Sequence, residues 1–252
     1  MSAERAMLVD TAKTVFAAAK DGGFAPIIEA GFSGLLIGED QGGFGGDWGD
    51  LFAVLRVAGG LALPLPIGET IIAAKLLSDA GQPVPGGELG LDATEHRHFG
   101  AFVRVALASG ALDAALAMSI DHCNVRVQFG KPLAKQQAVQ QSLASFAVEA
   151  TAVRFAGEGA AAALDHGDAL FEIAAAKLRC NQAIGIGTAI AHQVHGAIGF
   201  TMDYALHPLT RNLIQWRSDF GNDAYWAAQL GMMAAAQGGA GLWAEITRRG
   251  DR

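Results

Sequence analysis

Arg126 is the side chain in this sequence best suited to bind an anion. It opens the stretch RVQFGKPLAKQQAVQQSLA, residues 126–144, in which Gly130-Lys131-Pro132 interrupts the helical pattern on both sides. A planar guanidinium donates two parallel hydrogen bonds to a pair of phosphate oxygens. The residue types and their spacing therefore suit recognition of a planar anion at the end of a helix.

A second stretch can complete such a site. Gln193 carries amide donors, and the glycines of the segment 196–199 allow a ligand to approach the backbone closely. The alternative is a structural role, in which Arg126 pairs with a helix C-terminus or a neighbouring carboxylate. From the chemistry alone the structural role is favoured, because most charged side chains are only solvated or structural.

Two other patterns look functional but lack residues that the function needs. His192 and His195 are three apart on a predicted helix, yet no Cys or carboxylate stands at ligand spacing from them, so no metal site is predicted. The glycine-rich stretch 31–46 has no Lys after its glycines and no strand before them. A phosphate-binding loop is therefore not predicted there either.

Helical periodicity dominates the chain and must position these residues. No segment alternates convincingly between apolar and polar residues, so a sheet is expected to be absent or vestigial. Long helices joined by short loops pack as an antiparallel bundle, and the predicted fold class is all-α. Asp168 is the predicted N-cap of its helix, and the sequence RRGDR is predicted to be a frayed tail. Helices are predicted at about 1–21, 49–61, 67–80, 99–127, 133–165, 168–195, from 204 and from 223.

Composition argues against several classes of protein. The formal net charge of −7 and the pI of about 5.4 do not favour nucleic acid or an anionic membrane as partner. Cys123 and Cys180 lie far apart without metal spacing, which fits a reducing cytoplasm. The charged start MSAERAMLVD does not predict a signal peptide.

Two uncharged stretches, 181–202 and 224–244, are interrupted by Gln, His or paired Gly and do not predict membrane spans. Apolar residues make up 51% of the chain, and 33 glycines add to them. This excess indicates apolar surface buried against another subunit, because monomers rarely expose large apolar patches. The sequence therefore predicts a cytoplasmic oligomer.

Two C-terminal motifs resemble those of the acyl-CoA dehydrogenase family. RVQFGKPLAKQQAVQ is similar to the family stretch R-x-x-F-G-K-x-L…Q-x-x-Q, and HQVHGAIGFTMDYALHPLTR to Q-x-x-G-G-x-G-F-T-x-E-Y…R. Nearer the N-terminus, AGFSGLLIGEDQGGFGG and LPLPIGETIIAAKLLSDAG resemble the family's glycine-rich loop and the helix after it. Because these matches cover nearly the whole chain in the family's order, the chain is identified as a member.

The resemblance implies an FAD site that is shared between subunits. In the family, a neighbouring subunit holds most of the flavin, and a few positions contact its diphosphate–adenine half. Those positions are occupied here by Arg126, Gln128, Phe129, Gln193, Gly196 and Ala197. Ala197 stands where the family usually has a second Gly. A longer backbone contact is expected at that position.

The middle β-barrel-like domain of the family is missing. In the family it contributes a T-E-x-x-x-G-S-D type segment and a Trp-containing strand, which hold the flavin ring and the acyl thioester. Only residues 83–98 occupy its place, too few for a barrel whose strands average about 5–6 residues each. The predicted organisation is an N-terminal helical domain over 1–82, a linker over 83–98 and a C-terminal antiparallel four-helix bundle over 99–246.

The positions of the family's catalytic base hold no carboxylate. That base, a Glu, removes the α-proton while hydride leaves the β-carbon for the flavin. Phe220 occupies the usual position, and Gly100 occupies the position that some members use instead. Asp219 is a weak candidate, because an offset of one residue on a helix rotates the side chain by about 100°.

The resemblance thus implies a short, degenerate subunit of a heteromeric acyl-CoA dehydrogenase of the sterol or bile-acid side-chain type, inactive alone. A full-length paralogue is the expected partner, in a two-plus-two heterotetramer, and it would carry the base and most of the acyl-CoA site. One alternative is a structural or regulatory paralogue with no flavin contact. Another is a self-sufficient homo-oligomer that uses Asp219 for proton transfer.

Overall fold

The protein is described by a computed structural model that covers residues 2–128 and 130–250. Within this part of the chain the fold is all-α, as predicted. The helices are α1 (Ala3–Gly22), α2 (Ala25–Glu29), α3 (Trp48–Gly60), α4 (Ile67–Asp79), α5 (Arg97–Val125), α6 (Gln137–Asp165), α7 (Leu170–His195), α8 (Leu206–Ser218) and α9 (Asp223–Gly250).

One small hairpin is the only sheet in the described residues. Strand β1 (Val127–Gln128) pairs antiparallel with β2 (Lys131–Pro132) directly after α5. The predicted all-α class is therefore confirmed, and the described residues contain no barrel-like β domain between the N-terminal helices and the bundle. The hairpin also ends α5 at residue 125 rather than at the predicted 127.

The N-terminal helices pack around α3 and are locked at its start. Asp47 caps α3 by accepting a hydrogen bond from the Asp50 backbone N–H, and the Asp50 side chain accepts one from the Asp47 N–H. The Arg5 guanidinium of α1 pairs with both carboxylates, at 2.6 Å from each. The glycine-rich segment before α3 forms turns and two short 3₁₀ helices, and the five-residue α2 was not predicted.

Helix α5 is the central helix of the bundle and packs against α3, α6, α7 and α8. It is long and apolar enough to cross a membrane by length and composition alone, but 67% of its most apolar window is buried inside the protein. Helix α5 was not considered as a candidate membrane span in the sequence analysis. Its burial is that of a core helix.

The connection between α4 and α5 has neither helix nor strand. The Thr70 hydroxyl ties it to α4, donating to the Leu89 carbonyl at 3.2 Å and accepting from the Leu89 N–H at 3.0 Å. Helix α5 begins at Arg97, and α9 continues beyond residue 246. The division into 1–82, 83–98 and 99–246 stays a prediction.

The predicted role of Asp168 is wrong, and the described part of the C-terminal tail is helical rather than frayed. Ala169 is the N-cap of α7 and makes no side-chain cap hydrogen bond, because Asp168 instead accepts a hydrogen bond from Arg249 at 3.0 Å. Arg249 also pairs with Glu172 and Glu245. The backbone of α9 is broken at Gly238 (φ 69°, ψ 160°), and these ion pairs fix the segment after the break, which is helical to residue 250. Residues 251–252 of the predicted frayed tail lie outside the described residues.

Candidate functional site

A cleft of about 490 Å³ lies where the C-terminal ends of α5 and α7 meet the hairpin and the start of α6. The residues that line it include no carboxylate, and its walls carry amide, hydroxyl, imidazole and guanidinium groups. Phe129, the sixth residue expected at this site, lies outside the described residues. The other five residues that the sequence singled out all line the cleft: Arg126, Gln128, Gln193, Gly196 and Ala197.

Arg126 sits at the point where α5 ends and the hairpin begins. Its backbone N–H donates to the His122 carbonyl at 2.9 Å, and its own carbonyl accepts from the Leu133 N–H at 2.9 Å. The backbone is thus fixed on both sides, while the side chain is exposed. Within residues 2–128 and 130–250 its guanidinium makes no ion pair, so the structural alternative has no carboxylate partner there.

The end of α7 presents the backbone of the opposite wall. Gly196 terminates α7 with φ 66° and ψ −145°, and its N–H donates to the His192 carbonyl. A positive φ of this kind favours glycine over residues with a Cβ. The chain then enters a 3₁₀ turn, Gly196–Phe200, which carries Ala197 past the cleft beside the exposed Gln193.

A pair of histidines forms part of the cleft wall. The rings of His122 and His195 lie 4.5 Å apart between centroids, and both residues line the cleft. Burial, followed by the neighbouring His195 and Arg126, lowers the pKa of His122. Burial and the neighbouring histidines 195 and 207 likewise lower the pKa of His192.

His122 was not predicted to belong to this site. It stands four residues before Arg126, and residues at that spacing share a helix face, which is the signal that could have found it. His195 had been weighed only as a metal ligand beside His192. In the part of the chain that the structure describes, no three His, Cys, Asp or Glu residues are grouped so that they could hold a metal ion.

The two expected base positions meet at the other end of α5. A Cβ added to Gly100 would lie 2.2 Å from Cδ1 of Phe220, so the phenyl ring occupies the space of a side chain at position 100. The Arg104 guanidinium lies 5.0 Å from the centroid of that ring. It pairs with Glu69 at 2.6 Å and with Asp219 at 3.1 Å.

Asp219 is therefore an ion-pair partner rather than an isolated carboxylate. Gly100 and Arg126 are separated by about 40 Å along α5, from the helical rise per residue. This separation exceeds the length of an extended flavin dinucleotide. If the diphosphate of such a dinucleotide were bound at Arg126, its flavin ring would consequently lie far from Gly100 and Phe220 of the same chain.

Residues 93–236 match the family model for the acyl-CoA dehydrogenase C-terminal domain. The chain is 29% identical over 191 residues to acryloyl-CoA reductase (NADH) of Anaerotignum propionicum, covering 75% of this chain and 44% of that protein. It is 35% identical over 127 residues to glutaryl-CoA dehydrogenase of Desulfococcus multivorans, covering 49% of this chain and 32% of that protein. The chain thus spans less than half the length of these relatives.

Solved structures share the fold over nearly the whole chain. A chain of the Tcur3481–Tcur3483 steroid ACAD variant superposes with a TM-score of 0.81 at 19% identity, covering 92% of this chain and 98% of that one. A chain of the ChsE4–ChsE5 complex from Mycobacterium tuberculosis gives 0.80 at 15% identity, covering 93% and 98%. At these identities the likeness establishes the fold.

Proposed function

Because this chain belongs to the acyl-CoA dehydrogenase family, we propose that it is a subunit of an FAD-dependent acyl-CoA dehydrogenase that oxidises an acyl-CoA thioester at its α,β bond. In this proposal it binds the diphosphate–adenine side of a flavin whose ring is held by a partner subunit. The partner also carries the catalytic base, and the chain is inactive alone.

The observation that carries the proposal is the cleft at Arg126. Its volume of about 490 Å³ falls within the range of roughly 300–1,000 Å³ that is usual for small-molecule sites. Its lining holds a guanidinium without an ion pair in the described chain, two Gln amides and no carboxylate. These donors fit the diphosphate of a flavin dinucleotide. When bound, the flavin would supply the complex with a hydride acceptor.

Five of the lining residues have a defined task in this proposal. Arg126 binds diphosphate oxygens through its guanidinium, because charge-assisted bidentate hydrogen bonds to phosphate are strong and directional. The amides of Gln128 and Gln193 orient the rest of the nucleotide. The backbone at Gly196 and Ala197 allows the ligand to approach closely, since neither residue has a large side chain.

The need for a partner is supported by the other end of α5. Phe220 and Gly100 stand where a base would be, and their mutual packing leaves no room for a carboxylate at position 100. Asp219 is engaged by Arg104. The described residues contain no β domain, so in this proposal the partner supplies the surface for the flavin ring and for most of the acyl thioester.

A full-length member of the same family is the proposed partner, in a two-plus-two heterotetramer. The likeness to chains of the ChsE4–ChsE5 complex and of the Tcur3481–Tcur3483 steroid ACAD supports this arrangement and suggests acyl-CoA thioesters with steroid-type side chains as substrates. The acidic net charge of −7 supports neither a nucleic-acid partner nor an anionic membrane. A cytoplasmic location remains part of the proposal.

Co-expression with a full-length paralogue from a neighbouring reading frame tests the proposal. We expect a yellow complex with about one flavin per heterodimer, and Arg126→Ala should weaken flavin binding roughly 10- to 100-fold, the loss of one strong charge-assisted contact. Arg248→Ala is the matched control, because Arg248 is exposed at the far end of α9. An intact complex with unchanged flavin content in Arg126→Ala would favour the alternative of a structural paralogue without flavin contact.

A further inference from the structure

The buried histidine of the cleft has a tautomer that is fixed by its surroundings. Nδ1 of His195 lies 2.8 Å from the Ala191 carbonyl oxygen. A carbonyl can only accept, so Nδ1 must carry the proton and donate. Nε2 of the neutral ring is then a bare acceptor, and it is buried with no hydrogen-bond partner in the described chain.

A neutral His195 is therefore poorly matched to an anion. An unprotonated Nε2 presents a lone pair, and a diphosphate oxygen also presents lone pairs, so no hydrogen bond can form between them. Protonation at Nε2 converts that atom into a donor and gives the ring a positive charge. His195 is 6% exposed, so the added charge would act where solvent screens it little.

His122 couples this buried ring to the cleft. Its ring is half-buried and lies 4.5 Å from that of His195 between centroids, tilted by 31°. Two imidazolium rings at this distance repel each other, so the pair accommodates one proton more easily than two. Arg126 follows one helical turn later and adds a fixed positive charge on the same side.

In the described part of the chain, the charged and titratable groups near the pair come from the end of α5, from α7 and, one step further out, from α8, and they are basic or neutral. Helix α5 contributes Arg126, α7 contributes His192, and α8 contributes His207, which acts on His192. The Tyr204 ring meets His195 edge-on at 5.4 Å. No carboxylate lines the cleft, so without an anion no negatively charged side chain of the lining balances a charged imidazole.

We infer that His122 and His195 form a proton-accepting pair that takes up one proton from solvent when a dinucleotide diphosphate binds in the cleft. The proton adds to an imidazole nitrogen, and the positive charge so formed neutralises part of the diphosphate charge. This inference rests on the proposed function, which it extends by making nucleotide binding pH-dependent. Affinity for the diphosphate then rises as pH falls through the neutral range.

The ligand chemistry has two sources in an acyl-CoA dehydrogenase complex, because FAD and coenzyme A both contain an adenosine diphosphate unit. FAD is the better probe for pH work, since its diphosphate is a diester without a proton that titrates near neutrality. Coenzyme A is the second ligand to be titrated in the same experiment. Stronger pH-dependent binding of FAD assigns the cleft to the flavin, and stronger pH-dependent binding of coenzyme A assigns it to the thioester carrier.

The test is calorimetric titration of the full chain, and of its complex with the partner, at several pH values between about 6 and 8 and in buffers of different ionisation enthalpy. We expect uptake of close to one proton per FAD and an affinity gain of up to about tenfold per pH unit of acidification. His122→Gln should reduce this pH dependence, and His122→Gln with His195→Gln should abolish it. His166→Gln, an exposed histidine at the end of α6, is the control and should leave it unchanged.

Nitrogen-15 NMR of the histidine rings gives a second readout. It needs no ligand, and it does not depend on whether the variant with both His122→Gln and His195→Gln folds. The free protein should show His195 protonated on Nδ1 at high pH. An Nε2-protonated tautomer, or FAD binding without proton uptake, would overturn the inference while leaving the flavin role of Arg126 intact. FAD binding that is insensitive to both Arg126→Ala and the histidine variants would overturn the proposed function as well.

Discussion

The phenyl ring of Phe220 fills the space that any side chain at position 100 would need, with Cδ1 2.2 Å from a Cβ added to Gly100. Phe220 adopts a positive φ of 55° to reach this position. The Trp226 indole N–H donates to the Phe220 carbonyl at 3.2 Å and holds the turn. The two positions at which the sequence analysis expected a base thus form a packed joint between α5 and the α8–α9 turn.

Adding one methyl group at this joint is expected to destabilise the protein. Gly100→Ala should lower the free energy of unfolding by about 1–3 kcal/mol, the usual cost of overpacking, as measured by urea denaturation. Gly159→Ala on α6 is the control, because a Cβ there meets nothing within 4 Å. It should raise stability by roughly 0.5–1 kcal/mol through helix propensity alone.

A double-variant cycle separates this contact from a general backbone effect. In a Phe220→Leu background the smaller side chain leaves room at position 100, so the cost of Gly100→Ala should largely vanish. Strictly additive costs would show that the two residues do not compete for the same space.

Arg104 should be more important for stability than an ordinary surface arginine. Its side chain is 14% exposed and pairs with the 11% exposed Glu69 as well as with Asp219. Arg104→Met leaves both carboxylates without their counter-ion and should cost about 3 kcal/mol in chemical denaturation. Arg248→Met removes an arginine that is 52% exposed and should change stability by no more than about 0.5 kcal/mol. Equal effects of the two substitutions would contradict this ranking.

Helix positions were predictable because local signals define them. Glycine and proline mark the ends of most helices, and the apolar period gives their length, so α3 and α7 begin and end close to where the sequence placed them. Helix α6 ends where predicted but begins four residues later, because a 3₁₀ helix precedes it. Asp168 was misassigned because the local capping signal competes with Arg249, which lies far away in sequence. Such long-range ion pairs produce no periodic pattern in the sequence.

The two cofactor motifs were predicted to serve one site, and the structure places Arg126 and Gln193 in one cleft. Contact with a flavin remains a prediction. The contact between the His122 and His195 rings could not be read from the sequence, because it depends on how α5 crosses α7. The contact between Phe220 and Gly100 was likewise invisible, although both residues had been recognised as the substitutes for a base.

Both cysteine thiols should be unreactive in the folded protein. Cys123 and Cys180 are each 0% exposed, and burial raises the pKa of Cys180 to about 12. The thiolate is the reactive form, so burial suppresses both access and ionisation. A thiol reagent such as Ellman's should label neither residue under native conditions and both in denaturant. Fast labelling of the native protein would contradict the burial of these helices.

Lys177 is a buried cation that holds the end of α8 and the turn after it. It is 0% exposed, and its ammonium donates to the Asn181 side chain at 2.6 Å and to the Trp216 carbonyl at 2.9 Å. Longer hydrogen bonds reach the carbonyls of Arg217 and Gly221, at 3.2 and 3.3 Å. One side chain therefore satisfies several carbonyls that would otherwise be buried without donors.

The stability contributed by Lys177 should increase with pH. Burial lowers the pKa of Lys177 from 10.5 to about 8, so between these values the folded protein binds fewer protons than the unfolded chain. The free energy of unfolding then rises with pH across this window, by up to about 3 kcal/mol for this group. Lys177→Met leaves the carbonyls unpaired and should cost about 2–4 kcal/mol near neutrality. Its deficit relative to the unmodified protein should widen between about pH 8 and pH 10 in urea titrations, and a deficit that narrows over that range would contradict the assignment.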